Sequence, residues 1–131
     1  MRDAGHREHV LIVDDDDDTR ETLREILEDE GYLVHSAVDG LDALLQLVAS
    51  RQQPALILLD WEMPRMSGDA FGSRLRQLPQ LKSIPVVLIT ASNGKDVEAA
   101  ASWTVARLQK PLKAVELLVT IERALHCATP R

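Results

Sequence analysis

Residues 10–37 read VLIVDDDDDTRETLREILEDEGYLVHSA, a stretch in which an acidic turn and a helical segment join two apolar runs. The first run, Val10–Val13, is apolar throughout. Three apolar residues then recur at the spacing of one helix face: Leu23, Ile26 and Leu27. Asp18, with Glu21 three residues later, fits a helix N-cap and capping box, and Gly31 fits the helix end. The stretch therefore predicts a strand, a helix and a second strand.

Further units of the same kind follow along the chain. The predicted strands span residues 10–13, 32–37, 55–59, 86–89 and 105–109, each with a helical segment after it. Because parallel neighbours need helical crossovers, the alternation predicts an α/β fold with a doubly wound parallel sheet of five strands and five helices. Strands 1, 3 and 4 are apolar throughout, which is typical of central strands, whereas strands 2 and 5 alternate like edges. The predicted order is therefore the flavodoxin-like 2-1-3-4-5.

Composition bounds the function. The chain has 131 residues, 45% hydrophobic and 27% charged, which is the balance of one globular domain. We expect an N-terminal extension over residues 1–9, the domain over 10–126 and a tail over 127–131. A net charge of −6 gives no reason to expect direct nucleic-acid or membrane binding. With one cysteine, Cys127, and no apolar run of the ~18 residues that span a bilayer, we expect a cytoplasmic protein with a free thiol.

Polar residues follow four of the five predicted strands. Asp14 and Asp15 follow strand 1, Asp60 follows strand 3, Thr90 follows strand 4 and Lys110 follows strand 5. The carboxyl ends of parallel strands share one edge of the sheet, and ligands bind there at the switch point between strands 1 and 3. We therefore expect these five side chains to meet in one crevice.

Three carboxylates in such a crevice need a cation. At ~5 Å and an effective dielectric constant of about 20, each pair repels by ~3 kcal/mol. Ligands that are all oxygen suit a hard ion with octahedral geometry, so we expect Mg²⁺, or Mn²⁺, rather than zinc.

Four segments, in this order along the chain, give the sequence a resemblance to a known family. They are LIVDDDDDTRE at 11–21, LILLDWEMPRMSG at 56–68, VVLITA at 86–91 and QKPL at 109–112. Together they resemble the receiver domains of bacterial response regulators, in the manner of a single-domain chemotaxis regulator, over essentially the whole chain. The resemblance implies a phosphorylation switch of two-component signal transduction and not a classical enzyme, although it promotes its own phosphorylation and dephosphorylation.

The resemblance also implies a role for each site residue. Asp60 would be the phosphoacceptor, Asp14 and Asp15 the acidic pair, and Glu62 a metal ligand through its backbone carbonyl. Thr90 and Lys110 would bind the phosphoryl oxygens, and the Lys110–Pro111 peptide bond would be cis. With these roles, the expected metal ligands are Asp14, Asp15, Asp60 and Glu62. Expected partners are a histidine kinase or phosphotransfer protein and an effector on the face of helix 4, strand 5 and helix 5; homodimer formation stays open.

The match departs from the family at Arg107, where receivers usually carry an aromatic residue three places before the lysine. Two alternatives follow. The first is a receiver-like module that binds proteins without phosphorylation. The second is a Mg²⁺ phosphatase like the haloacid dehalogenases, with Asp15 as nucleophile, which leaves the segment at 56–68 unexplained. The segment Asp14–Glu25 loosely resembles a calcium-binding EF-hand loop. That interpretation fails, because Thr19 stands where the turn needs glycine.

Overall fold

A computed structural model of the chain describes residues 8–63, 66–91 and 95–128. The strands are β1 (His9–Val13), β2 (Leu33–Ala37), β3 (Leu56–Asp60), β4 (Val86–Thr90) and β5 (Ala106–Gln109). The helices are α1 (Asp17–Asp29), α2 (Gly40–Ala49), α3 (Gly68–Gln77), α4 (Lys95–Ala99) and α5 (Ala114–Ala128), with a 3₁₀ turn at Ala100–Ser102. Most of the predicted extension and tail, and the side chain of Cys127, lie outside the described residues.

The five strands form one parallel sheet in the order β2-β1-β3-β4-β5, which confirms the order predicted from the apolar patterns. The register places the strand ends close together: Val13 pairs with Leu59, Asp60 with Ile89 and Thr90 with Gln109. Every strand-to-strand crossover contains a helix, as a parallel sheet requires.

Helices cover both faces of the sheet, so the core has two halves. Alternate residues of β1, β3 and β4 point to opposite halves: Leu11, Ile57 and Leu88 belong to one half, and Val10, Leu56 and Val87 to the other. The first half includes residues of α2, α3 and α4, and the second includes residues of α1 and α5. Burial on both faces explains why β3 and β4 have no polar residue before their last position, and why β1 has only His9, at its partly exposed start. Among the described residues, no helix combines the length and apolar character needed to cross a membrane.

Helix α1 begins earlier than the sequence predicted. Asp18 was the expected N-cap, but the cap is Asp16, whose Oδ2 accepts hydrogen bonds from the Thr19 backbone N–H at 2.8 Å and hydroxyl at 2.6 Å. The prediction was wrong because a run of five aspartates offers several equivalent caps, and Thr19 gives Asp16 two donors. The predicted end is confirmed: Gly31 follows the helix with φ of 98°, in the left-handed region that glycine favours.

Candidate functional site

Three aspartates meet at the carboxyl edge of the sheet. One carboxylate oxygen from each of Asp14, Asp15 and Asp60 lies within 4.8 Å of the other two. Asp14 and Asp60 are buried, at 2% exposure each, because they continue strands that are covered on both faces. Asp15 is exposed. The convergence predicted for these residues is therefore confirmed.

Asp14 is held by the start of the acidic turn. Its Oδ1 accepts a hydrogen bond from the Asp16 N–H at 2.9 Å, and its backbone carbonyl accepts one from Arg20 at 2.8 Å. Arg20 also forms an ion pair with Asp17, so it links the acidic loop after β1 to the start of α1. Sequence reasoning missed this arginine, although an acid three residues before a base at a helix start is a signal for such a pair.

The chemistry of the aspartate cluster fits a hard divalent cation. Asp14 Oδ2 is buried and has no hydrogen-bond partner within the part of the chain that the structure describes. A buried carboxylate oxygen without a partner is costly, and a cation bound by all three carboxylates would satisfy it. The acidic cluster is therefore able to bind a metal, with ligands that are all oxygen.

Lys110 neutralises part of the charge on Asp60. Its Nζ donates to Asp60 Oδ1 at 3.0 Å, and the Glu62 backbone N–H lies 3.4 Å from the same oxygen. The backbone N–H of Lys110 donates to the Thr90 carbonyl at 2.9 Å, which fixes the end of β5 against β4. The Lys110–Pro111 peptide bond is cis, as expected from the resemblance.

The pKa values reflect this crowding of charge. Burial raises the pKa of Asp60 to about 6; the Asp14 charge adds to the shift, and the hydrogen bond from Lys110 opposes it. Burial also raises the pKa of Asp14, against the hydrogen bond from Asp16. For Lys110, burial alone would lower the pKa. The hydrogen bond to Asp60 and the negative charges of Asp60, Asp14 and Glu62 outweigh burial, so the pKa of Lys110 is raised. At neutral pH Asp60 is therefore largely ionised and Lys110 is charged.

Glu62 projects its side chain to the end of β4. Its Oε2 accepts a hydrogen bond from the Thr90 hydroxyl at 2.5 Å, and its Oε1 accepts one from the Ala91 N–H at 3.3 Å. Lys110 Nζ lies 3.9 Å from Oε1. The resemblance gave Glu62 a metal role through its backbone carbonyl, and nothing in the sequence indicated the direction of this side chain.

Two tryptophans pack beside the site. Trp61, directly after Asp60, is buried, and its ring centroid lies 6.4 Å from that of Trp103, which packs against the core. The Arg76 guanidinium lies 5.3 Å from the Trp103 ring centroid, within range of a cation–π interaction. Arg107, where the family usually has an aromatic residue, is exposed on β5.

Comparison with known proteins identifies a family. The family model described as the response regulator receiver domain matches residues 10–122. A 14.6 kDa protein from the sodA1 3′ region of Leptolyngbya boryana is 38% identical over 87% of each chain. The cyclic di-GMP phosphodiesterase response regulator RpfG of Xanthomonas campestris is 38% identical over 83% of this chain, which spans only 29% of RpfG. The signal receiver domain of a histidine kinase from Syntrophus aciditrophicus superposes with a TM-score of 0.84, at 32% identity over 95% of this chain and 94% of that one.

Proposed function

Because the chain belongs to the receiver-domain family of response regulators, we propose that it takes a phosphoryl group from a histidine kinase or phosphotransfer protein onto Asp60. Receiver domains are signalling modules rather than classical enzymes, and phosphorylation is their signal. The single observation that carries the proposal is that Asp60 lies next to Asp14 and Asp15 and also accepts a hydrogen bond from Lys110.

The donor set supports Mg²⁺, or Mn²⁺, as the metal. Asp14, Asp15, Asp60 and the backbone carbonyl of Glu62 would hold it. The bound ion would neutralise charge on the transferring phosphoryl group, which is the main catalytic requirement of phosphoryl transfer.

The chain's own residues would supply the remaining chemistry. An ionised Asp60 oxygen attacks the phosphorus of a phosphohistidine, a new P–O bond forms as the P–N bond breaks, and the imidazole leaves with the bonding electron pair and takes up a proton. The Lys110 ammonium, 3.0 Å from the Asp60 carboxylate, would follow the charge onto the phosphoryl oxygens. The Thr90 hydroxyl would donate to the same oxygens.

We also propose a cytoplasmic location and a domain over residues 10–126, of which the family model matches residues 10–122. For the effector, we propose the face of α4, β5 and α5. Three valines from the neighbourhood of β5 and from α5 are exposed by 42% or more: Val105, Val115 and Val119. Exposed apolar side chains of this kind suit a protein partner.

The proposal is tested by mass spectrometry of the intact protein with Mg²⁺ and acetyl phosphate. We expect the wild type to gain one phosphoryl group and Asp60→Asn to gain none. Asp18→Asn is the matched control, because Asp18 is an exposed aspartate of the same run outside the cluster, and it should react like the wild type.

Peptide mapping separates the proposal from its alternatives. A phosphoryl group on Asp15 would favour the phosphatase interpretation. An unchanged mass, with no binding of beryllofluoride as a phosphoryl mimic, would favour a module that binds proteins without phosphorylation.

A further inference from the structure

The carboxylate of Glu62 lies on hydrogen-bond donors at the end of β4. The Thr90 hydroxyl donates to one of its oxygens at 2.5 Å, and the Ala91 N–H donates to the other at 3.3 Å. Lys110 Nζ, which donates to Asp60, is 3.9 Å from the second oxygen. Glu62 thus presents two anionic oxygens to groups from β4 and from the end of β5, next to the Asp60 carboxylate.

These donors cannot serve two anions at once. A hydroxyl and a backbone N–H each carry a single hydrogen, so Thr90 and Ala91 have one bond apiece to donate. Phosphoryl oxygens and carboxylate oxygens are both charged acceptors and compete for the same donors. The Glu62 side chain is 40% exposed, so it has open solvent into which it can turn.

We propose that Glu62 is an internal competitor for the phosphoryl group. In the unphosphorylated protein its carboxylate accepts the hydrogen bonds of the Thr90 hydroxyl and the Ala91 N–H, and it must turn out to solvent before Thr90 binds a phosphoryl group on Asp60. The inference rests on the proposed function and adds regulation to it: Glu62 weakens phosphoryl binding and makes its own displacement part of the switch. This movement requires no aromatic residue at the position of the exposed Arg107.

The affinity for beryllofluoride in the presence of Mg²⁺ measures the competition, because this mimic is not hydrolysed. Glu62→Ala should bind it about tenfold more tightly than the wild type. The wild type must first break one or two charge-assisted hydrogen bonds of Glu62, and this cost lowers its affinity by roughly the same factor. Glu62→Gln should fall between the two, because its amide keeps an acceptor for Thr90 but has no charge.

Glu122→Gln is the matched control. Glu122 is exposed on α5, and its substitution changes the net charge by the same single unit without touching the site. It should bind beryllofluoride like the wild type. An equal gain in both glutamine variants would assign the effect to net charge and overturn the competitor role.

The contact itself is measured without metal or mimic. Loss of the Glu62 acceptor should shift the amide resonance of Ala91 and speed its hydrogen exchange in Glu62→Ala, but not in Glu122→Gln. An unchanged Ala91 amide, or mimic binding by Glu62→Ala that is equal to or weaker than that of the wild type, would overturn the proposal and leave the proposed function standing. Failure of the wild type to bind the mimic at all would instead overturn the proposed function, and the competitor role with it.

Discussion

Asp60 is a buried carboxylate whose hydrogen bond to Lys110 only partly offsets the cost of its removal from water. Without a metal, its pKa is raised from 3.8 to about 6, with burial as the first cause. A raised acid pKa means that the folded state binds the proton more tightly than the unfolded state. The contribution of Asp60 to stability is therefore complete below about pH 4 and is lost as the pH rises through about 6.

From this shift we predict that Asp60→Asn is more stable than the wild type in metal-free buffer at about pH 7.5, by ~2 to 3 kcal/mol. The advantage should shrink towards pH 4, where the wild-type carboxyl is neutral as well. Urea unfolding at a series of pH values measures it. Asp18→Asn, which alters an exposed aspartate, should change stability little at any of these pH values. A stability difference for Asp60→Asn that does not depend on pH would contradict the prediction.

For single residues, the sequence predicted the position of the site well but the side-chain contacts within it poorly. Asp14, Asp15, Asp60 and Lys110 were predictable because each lies at or just after the end of a strand, and parallel strands end at one edge. The direction of the Glu62 side chain was not predictable, because it depends on donors from β4 that lie 28 or more residues away along the chain.

Helix α3 is shaped by the two indoles that it contacts. A Cβ built on Gly68 would lie 2.3 Å from the Trp61 ring, and one built on Gly72 would lie 2.3 Å from the six-membered ring of Trp103. These glycines are one helical turn apart, so together they let the helix approach both tryptophans closely.

Gly72→Ala tests this close approach. In an open helix interior the change should stabilise by up to ~1 kcal/mol, because alanine has the higher helix propensity. Here we predict destabilisation by about 1 to 3 kcal/mol, because the methyl group overlaps the Trp103 ring. In the double variant with Trp103→Phe, which removes the outer ring, the added cost of the alanine should be much smaller. Thermal unfolding of the four proteins gives this coupling, and purely additive effects would contradict the contact.

The sequence predicted the central strands more accurately than the ends of the helices and of the edge strand. The type and approximate position of β1, β3 and β4 followed from their apolar runs, because strands that are buried on both faces consist mainly of apolar residues. The start of α1 was missed by two positions, since the choice among adjacent aspartates depends on which one finds the Thr19 donors. Strand β5 begins at Ala106 and not at the predicted Val105, whose backbone N–H still bonds to the Val86 carbonyl.

The whole molecule is held together by a sheet whose order could be derived from apolar patterns, but whose stability depends on the charge collected at one edge. Burial of Asp14 and Asp60 next to each other opposes folding in the absence of a cation. A ligand that binds only the folded state stabilises it by mass action, and at about one hundred times its dissociation constant the gain is ~2.7 kcal/mol.

We therefore predict that saturating Mg²⁺ raises the melting temperature of the wild type by roughly 10 °C. Asp15→Asn, which removes one member of the cluster, should lose most of this increase, whereas Asp18→Asn should keep it. Differential scanning calorimetry with and without the ion measures both. An equal response of the two variants would show that the stabilisation does not come from the cluster.

The contact between Trp61 and Trp103 has an optical consequence. These are the two tryptophans of the chain, and one of them adjoins Asp60 in sequence. With ring centroids 6.4 Å apart, the two indoles are close enough for energy transfer, so we expect the polarisation of the emission to depend on their mutual orientation. A small rearrangement around Asp60 should therefore be visible in a stopped-flow fluorimeter through the intrinsic tryptophan fluorescence, without an added label.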